Sequence, residues 1–188
     1  MPTIVIPFRG REGKRRLPGE LRRPLAYAML ADVAAAALEL GRTLVVTPEA
    51  LELPVETVAD PGRGQGAAVE AALSEAVDSP ILVLNADLPA VTPRDLLVLL
   101  GSIPPAGLAV APAADGTTNA LALSAPALFS PLYGPGSAER FLALGPSRRV
   151  ELPNLAADVD TLADLEGLEA SLGRQTAAAL EALRTAAR

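Results

Sequence analysis

A three-layer α/β fold with a mostly parallel sheet is the class this sequence predicts, and three observations predict it. Short apolar runs rich in Val, Ile and Leu recur along the chain, each the length of a strand buried on both faces. Segments of helical periodicity separate them. Half of the 188 residues are hydrophobic, enough for one sizeable core between covering helices.

Thr3 to Phe8 is the first predicted strand, followed by a Gly- and Arg-rich loop and a helix from about Pro18 to Leu40. In that helix Leu21, Leu25, Met29, Val33, Ala36 and Leu40 recur at spacings of three and four, and Gly41 is a suitable stop. Thr43 to Thr47 and the weaker Val55 to Val58 are the next strands. The loop Asp60-Pro61-Gly62-Arg63-Gly64-Gln65-Gly66 then opens a helix from about Ala67 to Ala76. Ile81 to Leu84 is an unbroken apolar strand. Thr92 as N-cap with Pro93 at the first helical position starts another helix. Leu108 to Ala111 and Asn119 to Leu123 are strands, and a short segment lies around Ala127 to Leu132. Gly134-Pro135-Gly136-Ser137 opens a helix from Ala138 to Leu144, and Arg149 to Leu152 is a late strand candidate. An Ala-, Leu- and Glu-rich helix runs from about Leu162 to the end of the sequence, with a break at Gly173. Neither an internal repeat nor an interdomain linker is visible, so one domain is expected.

Composition narrows the chemistry. The net charge is −6, and histidine and cysteine are both absent. Neither a Ser-His or Cys-His nucleophile nor a zinc site of His and Cys can be built. Carboxylates, Lys, Arg, hydroxyls, backbone amides and hard cations remain. Although the chain is acidic, Arg9, Arg11, Lys14, Arg15, Arg16, Arg22 and Arg23 crowd together, which suggests a local anionic ligand or a solvated basic loop. Aromatic residues make up 3% of the chain, leaving few platforms on which nucleic-acid bases could stack. The apolar segment at the start precedes the basic one, the reverse of a secretory signal, and no apolar run reaches membrane-spanning length. A cytoplasmic protein is expected.

Several short segments have the makings of a site. Asp87 stands at the carboxyl end of the Ile81 to Leu84 strand, where open α/β sheets bind ligands, or else it merely begins the turn at Leu88-Pro89. In Asp158-Val159-Asp160, side chains two residues apart point the same way along extended backbone and could offer two carboxylates to one hard cation. Thr161 and Asp164 beside them form a helix-capping pattern, so a plain helix start is the competing reading. Gly62-x-Gly64-x-Gly66 lets backbone amides approach a nucleotide or serves as an ordinary turn. Gly134 to Ser137 and Gly116-Thr117-Thr118-Asn119 are two further polar turns beside element ends.

In order, the pieces Ile6-Pro7-Phe8-Arg9 with Lys14-Arg15-Arg16-Leu17, Asp87-Leu88-Pro89, Thr118-Asn119-Ala120-Leu121, Gly134-Pro135-Gly136-Ser137 and Asp158-Val159-Asp160-Thr161 resemble a known family. This family is the phospholactate or phosphoenolpyruvate guanylyltransferases of coenzyme F420 biosynthesis. The resemblance runs from about Thr3 to Leu165. It implies the Rossmann-like nucleotidyltransferase fold as a single domain over residues 1–188, and transfer of GMP from GTP to a three-carbon phosphorylated acid with release of pyrophosphate. It implies that Asp87, Asp158 and Asp160 hold Mg2+, and that Lys14 and Arg16 contact the GTP phosphates as catalytic cations. Thr118, Gly134 and Ser137 would grip the phosphorylated acid, while Gly64, Gln65 and Gly66 would approach the nucleoside.

The chain departs from this family at Arg9, where Lys is usual, and at Thr117, where Gly is common. GTP and the acid are the expected partners. A homodimer is compatible with the sequence but not required by it. The competing readings are a molybdenum-cofactor or sugar-phosphate nucleotidyltransferase, a non-catalytic nucleotide-binding domain, and a glycosyltransferase using Asp158-Val159-Asp160 as its metal motif.

Overall fold

The computed structural model describes residues 1–10, 19–75, 78–168 and 171–186. Seven strands form one sheet: β1 (Thr3–Pro7), β2 (Arg42–Thr47), β3 (Glu56–Ala59), β4 (Ile81–Leu84), β5 (Leu108–Pro112), β6 (Thr118–Leu123) and β7 (Ser147–Arg149). Their order across the sheet is β3-β2-β1-β4-β6-β5-β7. β1 pairs in parallel with β2 and β4, β2 with β3, and β5 with β7. Only β6 runs against its neighbours. The expected three-layer, mostly parallel α/β architecture is therefore observed, with one reversed strand.

Helices α1 (Gly19–Leu38), α2 (Gln65–Leu73), α3 (Pro93–Gly101), α4 (Ser137–Leu142), α5 (Pro153–Ala156), α6 (Leu162–Gly167) and α7 (Arg174–Ala186), with a 3-10 turn at Pro126–Leu128, accompany the sheet. One core cluster joins Ala26, Leu30, Val33 and Ala37 of α1 to Ile4, Ile6, Leu82 and Leu84 and to Leu96 and Leu99 of α3. A second, on the opposite face, joins Val69 and Ala72 of α2 and Phe141 of α4 to Val5, Val83 and Leu121. β4 explains why its sequence shows no alternation: all four of its side chains are buried because both faces are covered. A third cluster sets Leu25 and Met29, on another side of α1, against Val159, Leu165 and the partly buried Leu172 and Leu183. α1 is thus covered by the sheet on one side and by the C-terminal helices on the other.

Element boundaries shift where burial is low. The strand expected at Arg149 to Leu152 pairs instead over Ser147–Arg149, and Pro153 then opens α5. This is an edge strand whose residues are exposed or half-buried, so the apolar signal that marks inner strands is missing from it. The other edge strand, β3, begins one residue later than expected for the same reason. The helix expected from Leu162 ends earlier than the anticipated break, α6 closing at Gly167, while α7 begins directly after Gly173. Thr92 caps α3 with its side chain, and Asp95 returns the bond to complete a capping box.

Candidate active site

The site lies along the edge where β1 and β4 end and the reversed β6 begins. Parallel strands deliver their carboxyl ends to one side of the sheet, and the antiparallel β6 adds its amino end there. The chain leaves β4 through Asn85, whose backbone N–H donates to the Asn119 carbonyl at 2.9 Å. Asp87 follows two residues later. The backbone N–H of Val159 donates to the Asp87 carbonyl at 3.1 Å, tying the segment before α6 to the end of β4.

This tie brings together carboxylates far apart in sequence. Asp87, Asp158 and Asp160, all half-buried, each offer one oxygen, and these oxygens lie within 4.8 Å of one another. Oxygen ligands on opposite sides of a Mg2+ ion stand about 4 Å apart, twice the metal–oxygen distance, so small side-chain rotations would let the trio share a cation. Val159 between them is fully buried, so alternation along the extended segment sends the apolar side chain into the core and both carboxylates to the other side. The capping box is formed. Thr161 accepts from the Asp164 N–H at 3.2 Å, and Asp164 accepts from the N–H groups of Thr161 at 2.7 Å and Asp160 at 2.9 Å. With Thr161 and Asp164 capping α6, Asp158 and Asp160 are not required for that task.

Beside the carboxylates opens a cleft of about 350 Å3, lined among others by Phe8, Arg9, Gly64, Gln65, Asn85 and Asp87. Gly64 precedes α2 with φ of 98°, a backbone state that favours glycine. Arg9 is exposed, and its guanidinium lies 3.6 Å from where a Cβ on Gly64 would stand. Gly66 turns elsewhere: a Cβ there would come within 2.4 Å of the Pro131 Cβ, so it permits close packing between this turn and the loop before α4. Lys14 and Arg16 lie outside the described residues.

On the other flank, the fully buried Ser137 donates from its hydroxyl to the buried Thr118 hydroxyl at 3.0 Å. The Ser137 N–H donates to the Gly134 carbonyl at 3.0 Å. Thr118 therefore meets the Gly134 to Ser137 turn, distant from it in sequence. Arg140 holds the same loop, its guanidinium donating to the carbonyls of Leu132, Tyr133 and Pro135. Tyr133 packs edge-on against Phe141 at 5.3 Å between ring centres, and burial pushes its phenol pKa well up. At the departure position Thr117, the hydroxyl and N–H both donate to Asp115, lowering the Asp115 pKa through the side-chain bond first and the backbone bond second. Thr117 is occupied with its own turn.

Two residues to which the sequence assigns no individual role, Asn85 and Asn119, connect these parts. Gln65 donates to Asn85 at 2.7 Å, Asn85 to Asn119 at 3.0 Å, and Asn119 to Asp158 at 3.2 Å. The signal was present in part. An Asn closing the apolar β4 run and another opening the apolar β6 run are polar residues at strand ends that nothing in the strand pattern requires.

The mostly parallel sheet with helices on both faces is a nucleotidyltransferase-like fold, as superposition shows. The 2-C-methyl-D-erythritol 4-phosphate cytidylyltransferase of Thermus thermophilus superposes with a TM-score of 0.63 at 20% identity, over 89% of this chain and 96% of the other. The family model described as Guanylyl transferase CofC like matches residues 2–166, and the chain belongs to that family. Phosphoenolpyruvate guanylyltransferase of Geodermatophilus obscurus is 37% identical over 95% of this chain and 93% of its own length. 2-Phospho-L-lactate guanylyltransferase of Natrialba magadii is 35% identical over 98% and 90% respectively.

Proposed function

We propose that this chain, acting as one domain, transfers GMP from GTP to a three-carbon phosphorylated acid, phosphoenolpyruvate or 2-phospho-L-lactate, and releases pyrophosphate, a step of coenzyme F420 biosynthesis. The observation that carries the reading is the meeting of Asp87, Asp158 and Asp160 beside a cleft of about 350 Å3, in a chain that belongs to a guanylyl transferase family.

The chemistry needs little from the protein beyond positioning and charge. A phosphate oxygen of the acid forms a bond to the α-phosphorus of GTP, and the bond from that phosphorus to the bridging oxygen breaks, so that pyrophosphate leaves with the electron pair. With a second phosphate pKa of about 6, the attacking oxygen is already ionised at neutral pH. A chain without His or Cys can therefore support the step without a general base. Asp87, Asp158 and Asp160 supply hard oxygen donors suited to Mg2+. When bound, that ion would screen the repulsion between the two anions. Lys14 and Arg16 are assigned to the leaving pyrophosphate, with Arg9 on the cleft wall as a further cation. Gly64 and Gln65 line the nucleotide side, and Gly66 lets that turn pack closely.

Thr118, Gly134 and Ser137 are assigned to the acid. The Thr118 and Ser137 hydroxyls share one hydrogen bond, which leaves one of the two with a proton for an anionic oxygen. The test is pyrophosphate release with GTP or ATP, each offered with phosphoenolpyruvate, 2-phospho-L-lactate and 3-phosphoglycerate. Turnover is expected with GTP and at least one of the first two acids. No turnover with any acid would overturn the reading.

A further inference from the structure

We infer that Asn119 is a positioning residue for the metal-binding carboxylate Asp158, and that it terminates a one-way chain of side-chain amides reaching to Gln65 on the wall of the nucleotide cleft. The inference rests on the metal reading given above and adds residues to it.

The direction of the chain follows from two backbone carbonyls. A carbonyl oxygen can only accept. The Asn119 side chain lies 2.9 Å from the Leu155 carbonyl, so its NH2 must face that way. The same NH2 then meets the Asp158 Oδ1 at 3.2 Å. The Asn119 oxygen is left facing Asn85, 3.0 Å away, which requires the Asn85 NH2 on that side. The Thr118 carbonyl, 3.4 Å from the same nitrogen, agrees with that orientation. The Asn85 oxygen must then face Gln65, whose NH2 donates to it at 2.7 Å. No member can flip without setting an acceptor against an acceptor.

Hydrogen bonds that all point one way polarise one another, and this chain ends on a carboxylate. Asn119 is 2% exposed, held by Leu155 on one side and Asn85 on the other, so the donor it aims at Asp158 is fixed before any ligand arrives. Fixing one oxygen fixes the plane of the carboxylate. Asp158 has no comparable tie within its own segment, whereas Asp164 is the residue that caps α6. Hydrogen bonds to metal-ligating carboxylates commonly govern metal affinity by about 10- to 100-fold.

The experiment is Mn2+ titration of the purified full chain without nucleotide, followed by the electron paramagnetic resonance of free Mn2+. Three variants are compared with the parent chain: Asn119→Ala, Gln65→Met and the double variant. Asn119→Ala should weaken Mn2+ binding about tenfold or more. Gln65→Met should weaken it less but in the same direction. Since no nucleotide is present, that effect cannot come from a lost nucleotide contact. In the double variant, Gln65→Met should add nothing, because the chain is already cut.

Because Gln65 is half-buried on a cleft wall, its variant keeps the test open if Asn119→Ala fails to fold. A lower unfolding temperature with unchanged Mn2+ affinity in both single variants would mean a purely structural role and would overturn the inference. Independent, additive losses would overturn the chain and leave two separate effects. If the parent chain binds no Mn2+, the metal reading falls and this inference falls with it.

Discussion

Asp87 serves the molecule through two groups at once. Its backbone carbonyl accepts the Val159 N–H that brings the acidic segment alongside β4, and its carboxylate joins the trio that this contact creates. Replacing it with Asn preserves size and the backbone bond but removes the charge. Under the metal reading, Asp87→Asn should lower the pyrophosphate-release rate by at least about 100-fold, the scale of losing a key electrostatic group. A near-normal rate would remove Asp87 from the metal site. At this scale the sequence was informative about residue type. A strand end marks the Asp87 carboxylate, and an extended segment marks Asp158 and Asp160. Asn85 and Asn119 carry no such mark, because an amide at a strand end has many uses and only its neighbours reveal which applies.

Among the elements, α7 is tied to α1 by a distant polar side chain as well as by its apolar face. Asp32, near the middle of α1 and nearly buried, accepts from the N–H groups of Gln175 at 2.9 Å and Thr176 at 2.8 Å. It caps α7 from outside that helix. Gly173 admits it: a Cβ there would stand 2.3 Å from the Asp32 carboxyl carbon. The Gly173 N–H in turn donates to the Pro89 carbonyl at 2.7 Å, so the start of α7 holds the loop that follows Asp87. The element lies beyond residues 2–166, the span of the family match. Asp32→Ala is expected to cost about 1–2 kcal/mol, the range for losing a helix cap, read as a lower midpoint in urea. Amide hydrogen exchange should rise first in α7 and around Pro89. Unchanged exchange there would show that α7 is held by its apolar face alone. The Gly173 break was visible in the sequence, but the partner that makes it necessary lies in another helix.

For the whole molecule, the sheet order decides what meets. β1, β3 and β4 send their following loops to one edge, while β6, reversed between β4 and β5, brings Thr118 and Asn119 to the same place. Three carboxylates held this close repel one another when no cation is bound. Mg2+ or Mn2+ should therefore raise the unfolding temperature, increasingly so with GTP present, because a ligand that binds only the folded state stabilises it by mass action. A chelator should abolish pyrophosphate release, and added Mg2+ should restore it. Stability and activity both indifferent to chelation would contradict a metal-dependent enzyme. Among the described residues no helix is long and apolar enough to cross a membrane.

The sequence by itself determined the layered α/β class, the inner strands and the capped helix starts, and it marked Asp87, Asp158 and Asp160 as candidate ligands. These depend on local periodicity, apolar runs and capping chemistry, which short windows record. Only the tertiary structure decided that β6 runs backward, that the edge strand β7 pairs through polar residues, and that Gly66 serves packing against Pro131. It alone joined Gln65, Asn85, Asn119 and Asp158 into one chain of donors. Hydrogen bonds between residues remote in sequence leave no periodic mark on it, because their geometry exists only once the strands are laid side by side.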